Sequence, residues 1–301
     1  MIPAIDGLII LDKPPGHTSH EITSFVKKIT GAKRTGHAGT LDPDVSGVLP
    51  VALGRATKLL RYIAGETKTY IGIIKFRKVQ TKEQIEELFR AFTGELVQTP
   101  PKISAVRKVP RKRTVYYLKL LEISDSNPRL ALFEAKVDAG TYIRTLCEDI
   151  GKRCGGARME ELRRIAVGNI RESQTVTMQD VVDAMWLLKN KKDGSLLKKI
   201  IRPAENFIDL PIVTIKNSAI DSIRSGAQIA VPAVVGFQSS AFGSNASGGL
   251  GAQSPMVSRN QKVSLFSEDG RFVGVGVTQI SSDELKNQKK GIAIRLERVQ
   301  I

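Results

Sequence analysis

The pattern of the chain changes near "NFIDLP", residues 206–211, and this change limits the folds available to it. Before this point, strand-like alternation is mixed with amphipathic helical patterns, without the regular strand–helix–strand order of a doubly wound sheet. After it, short strand patterns are separated by glycine-containing turns, which is typical of a small β-barrel. The sequence therefore predicts an α+β domain at residues 1–209 and a barrel at residues 210–301.

Local signals place several elements within these domains. Thr18 and Glu21 form a capping box for a helix that stops at Gly31, and Thr81 with Gln84 starts a helix that we expect to end at Gly94. Further helices are predicted at "YIRTLCEDIGKRC", "RMEELRRI" and "TMQDVVDAMWLLKN", and strands at "GLIILDK", "KTYIGIIKF", "TVYYLKLLEI" and "LALFEAKVD". The barrel is expected to carry one brief helix and a low-complexity Gly/Ser-rich loop at residues 236–256.

The charge of the chain narrows the class of partner. Lys and Arg number 46 against 30 Asp and Glu, which gives a formal net charge of +16 and favours a polyanion such as nucleic acid. We find no apolar run that would span a membrane, so no membrane partner is expected. Cys147 and Cys154 lack the spacing of a metal site, and no metal is predicted. Reduced thiols and the absence of a signal-peptide pattern favour a cytoplasmic protein.

The segment "KRTGHAGTLDPDVSG", residues 33–47, concentrates residues that could do chemistry. It holds Lys33, Arg34, His37 and Asp42 within a glycine-rich stretch. Asp42 precedes proline, and on local pattern alone it is either a turn former or a working carboxylate. A single histidine on a loop does not decide between a ligand, a base and neither.

Three further features could complete a site. Tyr70 in "KTYIG" is either a packed aromatic or a functional ring, and Arg144 in "GTYIRTL" must reach solvent or find an anion, for which Asp42 is a candidate. A run of cations without acidic residues follows, which is either a solvated strand face or a ridge that tracks phosphates. Its members are Lys102, Arg107, Lys108, Arg111, Lys112, Arg113 and Lys119, and "LRRIAVGNIRE" adds Arg163, Arg164 and Arg171.

A series of motifs resembles, in order, those of TruB-type pseudouridine synthases. The motifs are "GLIILDKPPGHTSHE", "GHAGTLDPDVSGVLPVALGRATK", "KTYIG", "QTPPKISAVRK", "GTYIRTLCEDIG" and "MEELRRIAVG". The C-terminal unit resembles a PUA domain, a small RNA-binding barrel. Within the family the chain is most similar to the archaeal catalytic subunit of H/ACA ribonucleoproteins, the relative of dyskerin. The resemblance implies a mainly antiparallel mixed sheet flanked by helices, followed in the chain by the PUA barrel.

The resemblance also implies an isomerase reaction and its residues. A uridine of RNA would be flipped out of its helix, its N1–C1′ bond broken, and the base rejoined through C5 without a cofactor. Asp42 matches the catalytic aspartate. The substrate-binding positions of the family match Tyr70, Arg144, Leu162, His37 and Lys13, the last together with Pro14. For the RNA backbone we expect contacts from Lys33, Arg34, Arg107, Arg111 and Arg113.

Three functions remain open at this point. The first is the catalytic subunit of a box H/ACA guide ribonucleoprotein acting on rRNA and tRNA, with guide RNA, substrate RNA, small proteins of the Nop and Gar types and a kink-turn binding protein as partners. The second is a stand-alone tRNA T-loop pseudouridine synthase. The third is a non-catalytic RNA-binding scaffold, which the joint presence of Asp42, Tyr70 and Arg144 disfavours.

Overall fold

Two compact units make up the chain. The computed structural model describes residues 5–63, 65–100, 107–238, 240 and 257–300. Contacts divide the chain into Met1–Arg202 and Pro203–Ile301. The domain boundary predicted from sequence at residues 209/210 stays a prediction. Within the described ranges, no helix is long and apolar enough to cross a membrane.

The first unit is built on one sheet of nine strands within the described residues. In chain order the strands are β1 Gly7–Lys13, β2 Thr35–His37, β3 Ser46–Leu53, β4 Thr67–Phe76, β5 Gly94–Gln98, β6 Arg111–Ile123, β7 Leu130–Asp138, β8 Ala157–Val167 and β9 Ile170–Arg171. Their order across the sheet is β1-β3-β8-β4-β7-β6-β5, with β2 paired to β3 and β9 to β8. All pairs are antiparallel except β3 with β8, which is parallel. The predicted α+β class with a mainly antiparallel mixed sheet is confirmed.

Helices cover this sheet through two apolar clusters. The helices of the first unit are α1 Ser19–Thr30, α2 Leu60–Ile63, α3 Lys82–Ala91, α4 Ile143–Arg153, α5 Met178–Trp186 and α6 Ser195–Ile200. One cluster joins α3 and α4 to β4, β6 and β7, and the other joins α1, α5 and α6 to β1 and β3. Burial of these apolar side chains is the main favourable contribution to folding.

Capping explains why two of these helices begin where they do. Both predicted capping boxes form, at Thr18–Glu21 before α1 and at Thr81–Gln84 before α3. Gly31 ends α1 in the left-handed conformation, with a φ of 71° that an L side chain disfavours. The end predicted for α3 was wrong, because the helix stops at Ala91 and Gly94 is already the first residue of β5.

The segment "RMEELRRI" corrects a larger prediction. We expected a helix, but these residues form most of β8, at the centre of the sheet. On one side β8 pairs with β4 along its whole length, and on the other it pairs with β3 at Arg163 and Arg164. Glu160 lies between Lys75 of β4 and Arg158 of its own strand, at 3.2 and 3.0 Å. Tertiary pairing thus overrides the helix preference of Met, Glu, Leu and Arg.

The second unit holds a sheet of six strands within the described residues. The strands are β10 Ile212–Ile215, β11 Ile229–Ala230, β12 Val234–Gln238, β13 Lys262–Ser267, β14 Phe272–Thr278 and β15 Ile292–Val299, in the order β11-β15-β14-β13-β10-β12. Two short helices accompany them, α7 Ile220–Arg224 and α8 Ser282–Asn287, where one was expected. The second helix has a Ser281–Glu284 capping box that the sequence analysis had missed.

The predicted Gly/Ser-rich loop at residues 236–256 is only partly testable. Residues 236–238 belong to strand β12, so the loop begins later than we expected. Apart from Ser240, the remainder of the segment lies outside the described residues.

Candidate active site

Asp42 lies on the loop that joins β2 to β3. Its carbonyl accepts a hydrogen bond of 3.1 Å from the backbone N–H of Val45, which closes a turn around Pro43. The side chain is 52% exposed. The backbone of Asp42 therefore forms the turn that its local sequence predicts, while the carboxylate remains free to bind another group.

Arg144 supplies that group. It lies in the first turn of α4, and its Nη2 donates a hydrogen bond of 2.6 Å to Oδ2 of Asp42, 102 residues away in the chain. The arginine side chain is 40% exposed, so both partners can be reached from solvent. The planar guanidinium restricts the directions from which it can donate, and the contact therefore orients the carboxylate as well as neutralising it.

Lys13 binds backbone carbonyls of the same loop. Its side chain is completely buried, and Nζ donates to the carbonyls of Pro14, Pro43 and Val45 at 2.9, 2.8 and 2.9 Å. All three ammonium protons therefore have acceptors. Burial lowers the pKa of Lys13, against the opposing charges of Asp44 and Asp42. Two of the three carbonyls, those of Pro43 and Val45, belong to the turn that begins at Asp42. This lysine therefore holds the turn that presents the carboxylate.

Two further contacts, not anticipated from the sequence, hold the same loop. The hydroxyl of Ser19 in α1 accepts from the backbone N–H of Leu41 at 2.9 Å and donates to its carbonyl at 3.1 Å. The backbone N–H of Gly16 donates to Pro43 at 3.0 Å. Thus both neighbours of Asp42 in the chain are fixed to the segment that follows β1. Ser19 could not have been distinguished by sequence pattern from an exposed serine in a first helical turn.

Arg164 links the loop to Tyr70. It is 1% exposed, and it donates from Nε to the carbonyl of Val48 and from Nη2 to that of Gly39, each at 2.9 Å. Burial lowers the pKa of Arg164, and a hydrogen bond with Tyr70 opposes this effect. Tyr70 is itself only 8% exposed. Arg164 therefore belongs neither to a solvated strand face nor to a ridge that tracks phosphates, the two alternatives for the basic run, because its guanidinium has no access to solvent.

A cleft of about 780 Å³ opens beside Arg144, and Asp42 and Tyr70 are not among the described residues that line it. Leu162 and Arg144 line it, together with Gly72 and Val45. Leu162 of β8 lies opposite Gly72 of β4, where a Cβ added to the glycine would come within 2.8 Å of Leu162 Cδ1. The absence of a side chain at Gly72 therefore allows the leucine to sit at the wall of the cleft. This volume lies within the usual range of ligand sites and is sufficient for a nucleoside.

The other candidate residues of the segment 33–47 lie in β2 or immediately before it. His37 ends β2 half-buried, with Nε2 at 3.2 Å from the hydroxyl of Thr40. Burial, Arg164 and His20 lower the pKa of His37. Lys33 and Arg34 are exposed immediately before β2. These two cations are thus accessible to a polyanion, as their predicted backbone role requires.

The basic run is divided by the structure. Arg107 and Arg111 are exposed, and Arg113 is half-buried on the same strand as Arg111. Lys112 forms an ion pair of 2.9 Å with Glu95 of β5, an acidic neighbour that the linear sequence did not reveal. Arg163 is likewise held, with 2.9 Å to Asp12 and 3.0 Å to Glu172. Lys102 lies outside the described residues.

Comparison with known proteins covers both units. Residues 27–143 match the family model "TruB family pseudouridylate synthase (N terminal domain)", 144–209 match "tRNA pseudouridylate synthase B C-terminal domain", and 211–300 match "PUA domain". Proteins named "Probable tRNA pseudouridine synthase B" are similar along most of their length. The one from Pyrobaculum aerophilum is 38% identical over 97% of this chain and 83% of its own, and that from Pyrococcus furiosus is 37% identical over 97% and 82%.

Solved structures show the same likeness in three dimensions. The chain superposes with a TM-score of 0.84 on "Crystal Structure of a Cbf5-Nop10-Gar1 Complex", at 37% identity over 97% of this chain and 84% of the other. It superposes with 0.84 on "Structure of H/ACA RNP bound to a substrate RNA containing 2'-deoxyuridine", at 35% identity over 98% and 85%. The resemblance inferred from the motifs is confirmed: the chain belongs to the TruB family of pseudouridine synthases and carries a C-terminal PUA domain.

Proposed function

We propose that this pseudouridine synthase is the catalytic subunit of a box H/ACA guide ribonucleoprotein, with ribosomal RNA as its main substrate and tRNA as a further one. The observation that carries the proposal is the superposition, over 97–98% of the chain, on structures of H/ACA complexes with Nop10, Gar1 and substrate RNA. In those complexes the matching subunit works beside small proteins and an RNA. Guide RNA and small Nop-type and Gar-type partners are accordingly part of the proposal.

Asp42 is proposed as the catalytic residue. The reaction breaks N1–C1′ of uridine and forms C5–C1′, while the proton on C5 leaves and N1 gains one, so it is redox-neutral. Arg144 holds the carboxylate by its 2.6 Å hydrogen bond, and Lys13 fixes the turn beneath it. A carboxylate fixed in this way, and held by an arginine that lines a nucleoside-sized cleft, is suited to nucleophilic or general-base work.

The remaining site residues are proposed to hold the flipped nucleotide. Leu162 would contact it from the wall of the cleft. Tyr70, which precedes the cleft-lining Ile71 in β4 and is itself 8% exposed, would stack on the base with the accessible part of its ring. Stacking recovers about 1–3 kcal/mol per base, which offsets part of the cost of flipping. His37 would support the opened RNA strand, and Lys33 and Arg34 would contact its phosphates.

A second function is supported by a separate observation. The named relatives, at 37–38% identity, are described as tRNA pseudouridine synthases. The chain would then act alone on the T-loop of tRNA, without a guide. This function uses the same residues, and the difference lies in what presents the uridine to Asp42.

One experiment separates the two functions. Purified chain is incubated with a transcribed tRNA, alone or together with a guide RNA and Nop-type and Gar-type proteins, and pseudouridine is mapped by sequencing. We expect modification to depend on the guide and the added proteins. Modification of tRNA at the same rate by the chain alone would contradict the guide-dependent proposal and support the stand-alone enzyme.

The proposal also includes a cellular compartment and one further partner protein. Cys147 and Cys154 are free thiols, which supports a reducing compartment, and we propose the cytoplasm. A kink-turn binding protein as a further partner stays a prediction, to be tested by adding it to the reaction above.

A further inference from the structure

A second basic cavity lies at the start of the segment that leads into Arg144. It has a volume of about 50 Å³ and is lined by Gln98, Pro100, Arg111, Arg113, Gly140 and Tyr142. The arginines come from β6, and Gly140 and Tyr142 from the turn between β7 and α4. Since one water molecule needs about 10–15 Å³ of such space, the cavity holds a group of only a few atoms. It is therefore suited to a small ion or to one group of a larger ligand.

Arg113 has unused donors in this cavity. Its Nη1 donates to the carbonyl of Lys112 at 2.9 Å, but Nε is buried and has no hydrogen-bond partner among the described residues. A Cβ added to Gly140 would lie 3.1 Å from Nη2 and 3.4 Å from Nε, so this edge of the guanidinium lies over the glycine. The paired N–H groups along such an edge match two oxygens of a phosphate or carboxylate. A buried donor without an acceptor requires an explanation, and a bound anion supplies one.

The surroundings also favour an anion. Arg111 is exposed, and its side chain makes no hydrogen bond or ion pair with any described residue. Gln98 is already bonded to the backbone of Tyr142, at 2.9 and 3.2 Å, and it fixes the turn rather than competing for the ligand. The carboxylate of Asp138 lies near Arg113, but it accepts from the N–H of Thr114 and the hydroxyl of Tyr116 at 2.6 and 2.9 Å.

The N-terminus of α4 adds to this effect. Tyr142 is the N-cap of this helix of 11 residues, and it provides no side-chain hydrogen bond to the first turn. The first turn also contains no acidic residue. The positive end of the helix dipole favours a negative group near this turn. The hydroxyl of Thr141, the residue before the cap, is buried without a partner among the described residues.

We infer that the cavity between Arg111, Arg113 and Gly140 binds a backbone phosphate of the substrate RNA strand, next to the uridine presented to Asp42. The inference rests on the proposed function for the identity of the ligand. Position argues for a substrate phosphate, because Tyr142 borders the cavity and Arg144, two residues on, contacts Asp42. Arg144 also lines the cleft, so the cavity and the cleft border residues only two positions apart in the chain.

The test combines charge removal in the protein with charge removal in the RNA. A T-arm hairpin RNA is prepared with a single neutral methylphosphonate at each loop position in turn, and dissociation constants are measured for the full chain and for Arg113→Gln. With unmodified RNA we expect Arg113→Gln to bind about tenfold more weakly. The slope of log K against log salt should fall in magnitude by about 0.7, the value for one phosphate of a single strand.

One methylphosphonate position should then weaken binding to the wild type by about tenfold and leave binding to Arg113→Gln unchanged. Arg111→Gln, which alters only an exposed side chain, should give the same coupling at the same position with a smaller loss. Arg129→Gln removes an identical charge from the exposed turn after β6 and should show no coupling. If no position is coupled to Arg113, or if Arg129→Gln matches it, the inference is overturned.

Two controls separate the alternatives. The ¹⁵N signal of Arg113 Nε is followed on addition of inorganic phosphate and of the hairpin, and a shift with phosphate alone, without coupling to any RNA position, would overturn the assignment to RNA. Pseudouridine formation by the wild type is measured in parallel on a guided substrate RNA, with the guide RNA and the Nop-type and Gar-type proteins added. Coupling without pseudouridine would leave the cavity standing and sink the proposed function, whereas pseudouridine without coupling would do the reverse.

Discussion

Nη2 of Arg144 lies 2.6 Å from Oδ2 of Asp42, although 102 residues separate them in the chain. One residue belongs to the first turn of α4, and the other to the turn between β2 and β3. The two elements are brought together by the central strands of the sheet. The contact therefore depends on the tertiary structure of the first unit. Substitution of either residue tests whether the contact is needed for the reaction.

Replacing Arg144 by alanine or lysine should slow the reaction while leaving RNA bound. Lysine restores the charge but not the planar fork, so we expect both variants to lower kcat by about a hundredfold, the effect of a small misplacement of a reacting group. Single-turnover pseudouridine formation measures the rate, and filter binding measures affinity. Arg129→Ala, in an exposed turn, is the matched control. A lysine variant with the wild-type rate would show that charge alone suffices.

Lys13→Met should damage both stability and catalysis. It removes three hydrogen bonds; Pro43 keeps a donor in Gly16, but the buried carbonyl of Val45 loses the one that Lys13 gives it. We expect a loss of about 1–3 kcal/mol in the free energy of unfolding, measured in urea, and a fall in kcat larger than any change in KM. Lys27→Met on the exposed side of α1 is the control. Unchanged stability and kcat would mean that the ammonium does not hold the loop.

Lys68 gives a prediction on pH. This lysine of β4 is 5% exposed, and burial, together with the charge of Arg164, lowers its pKa to about 8 from 10.5. Between these two values the unfolded chain retains a proton that the folded chain has lost, so raising the pH favours the folded chain. We expect the free energy of unfolding to rise by about 3 kcal/mol across this window, relative to a Lys68→Met variant.

Urea unfolding of both proteins at several pH values between about 7 and 10 measures this difference. Lys119→Met, on the exposed face of β6, controls for the general effect of removing a lysine. Curves for wild type and Lys68→Met that stay parallel across the window would show that Lys68 titrates normally.

Short sequence motifs predicted correctly where α1 and α3 begin, because a helix start depends on residues close together in the chain. The capping boxes before α1 and α3 involve groups three residues apart, and both form as expected. The strand β8 was missed because Met, Glu, Leu and Arg favour helices, and what makes the segment a strand is its pairing with β3 and β4. Such pairing involves residues that are far apart in the chain.

Some residues of the site were predicted from sequence motifs, and others could be found only from the structure. The motifs pointed to Asp42, Arg144 and Lys13, and the structure brings the three around one turn. Ser19 and Arg164 were missed in their supporting roles, because these depend on burial against backbone carbonyls. Nothing in the residue type of a serine or an arginine signals such burial, and an arginine beside a second arginine suggests a surface.

The central claim, that Asp42 carries the reaction, is tested most directly by Asp42→Asn. Asparagine keeps the shape and an oxygen that can accept from Arg144, but it removes the negative charge. Pseudouridine formation and RNA binding are measured for wild type and variant under identical conditions, with guide RNA and partner proteins present. We predict that wild type and variant bind RNA with equal affinity and that only the wild type forms pseudouridine. Pseudouridine formation by Asp42→Asn at the wild-type rate would contradict it, as would a wild type that binds RNA but forms none.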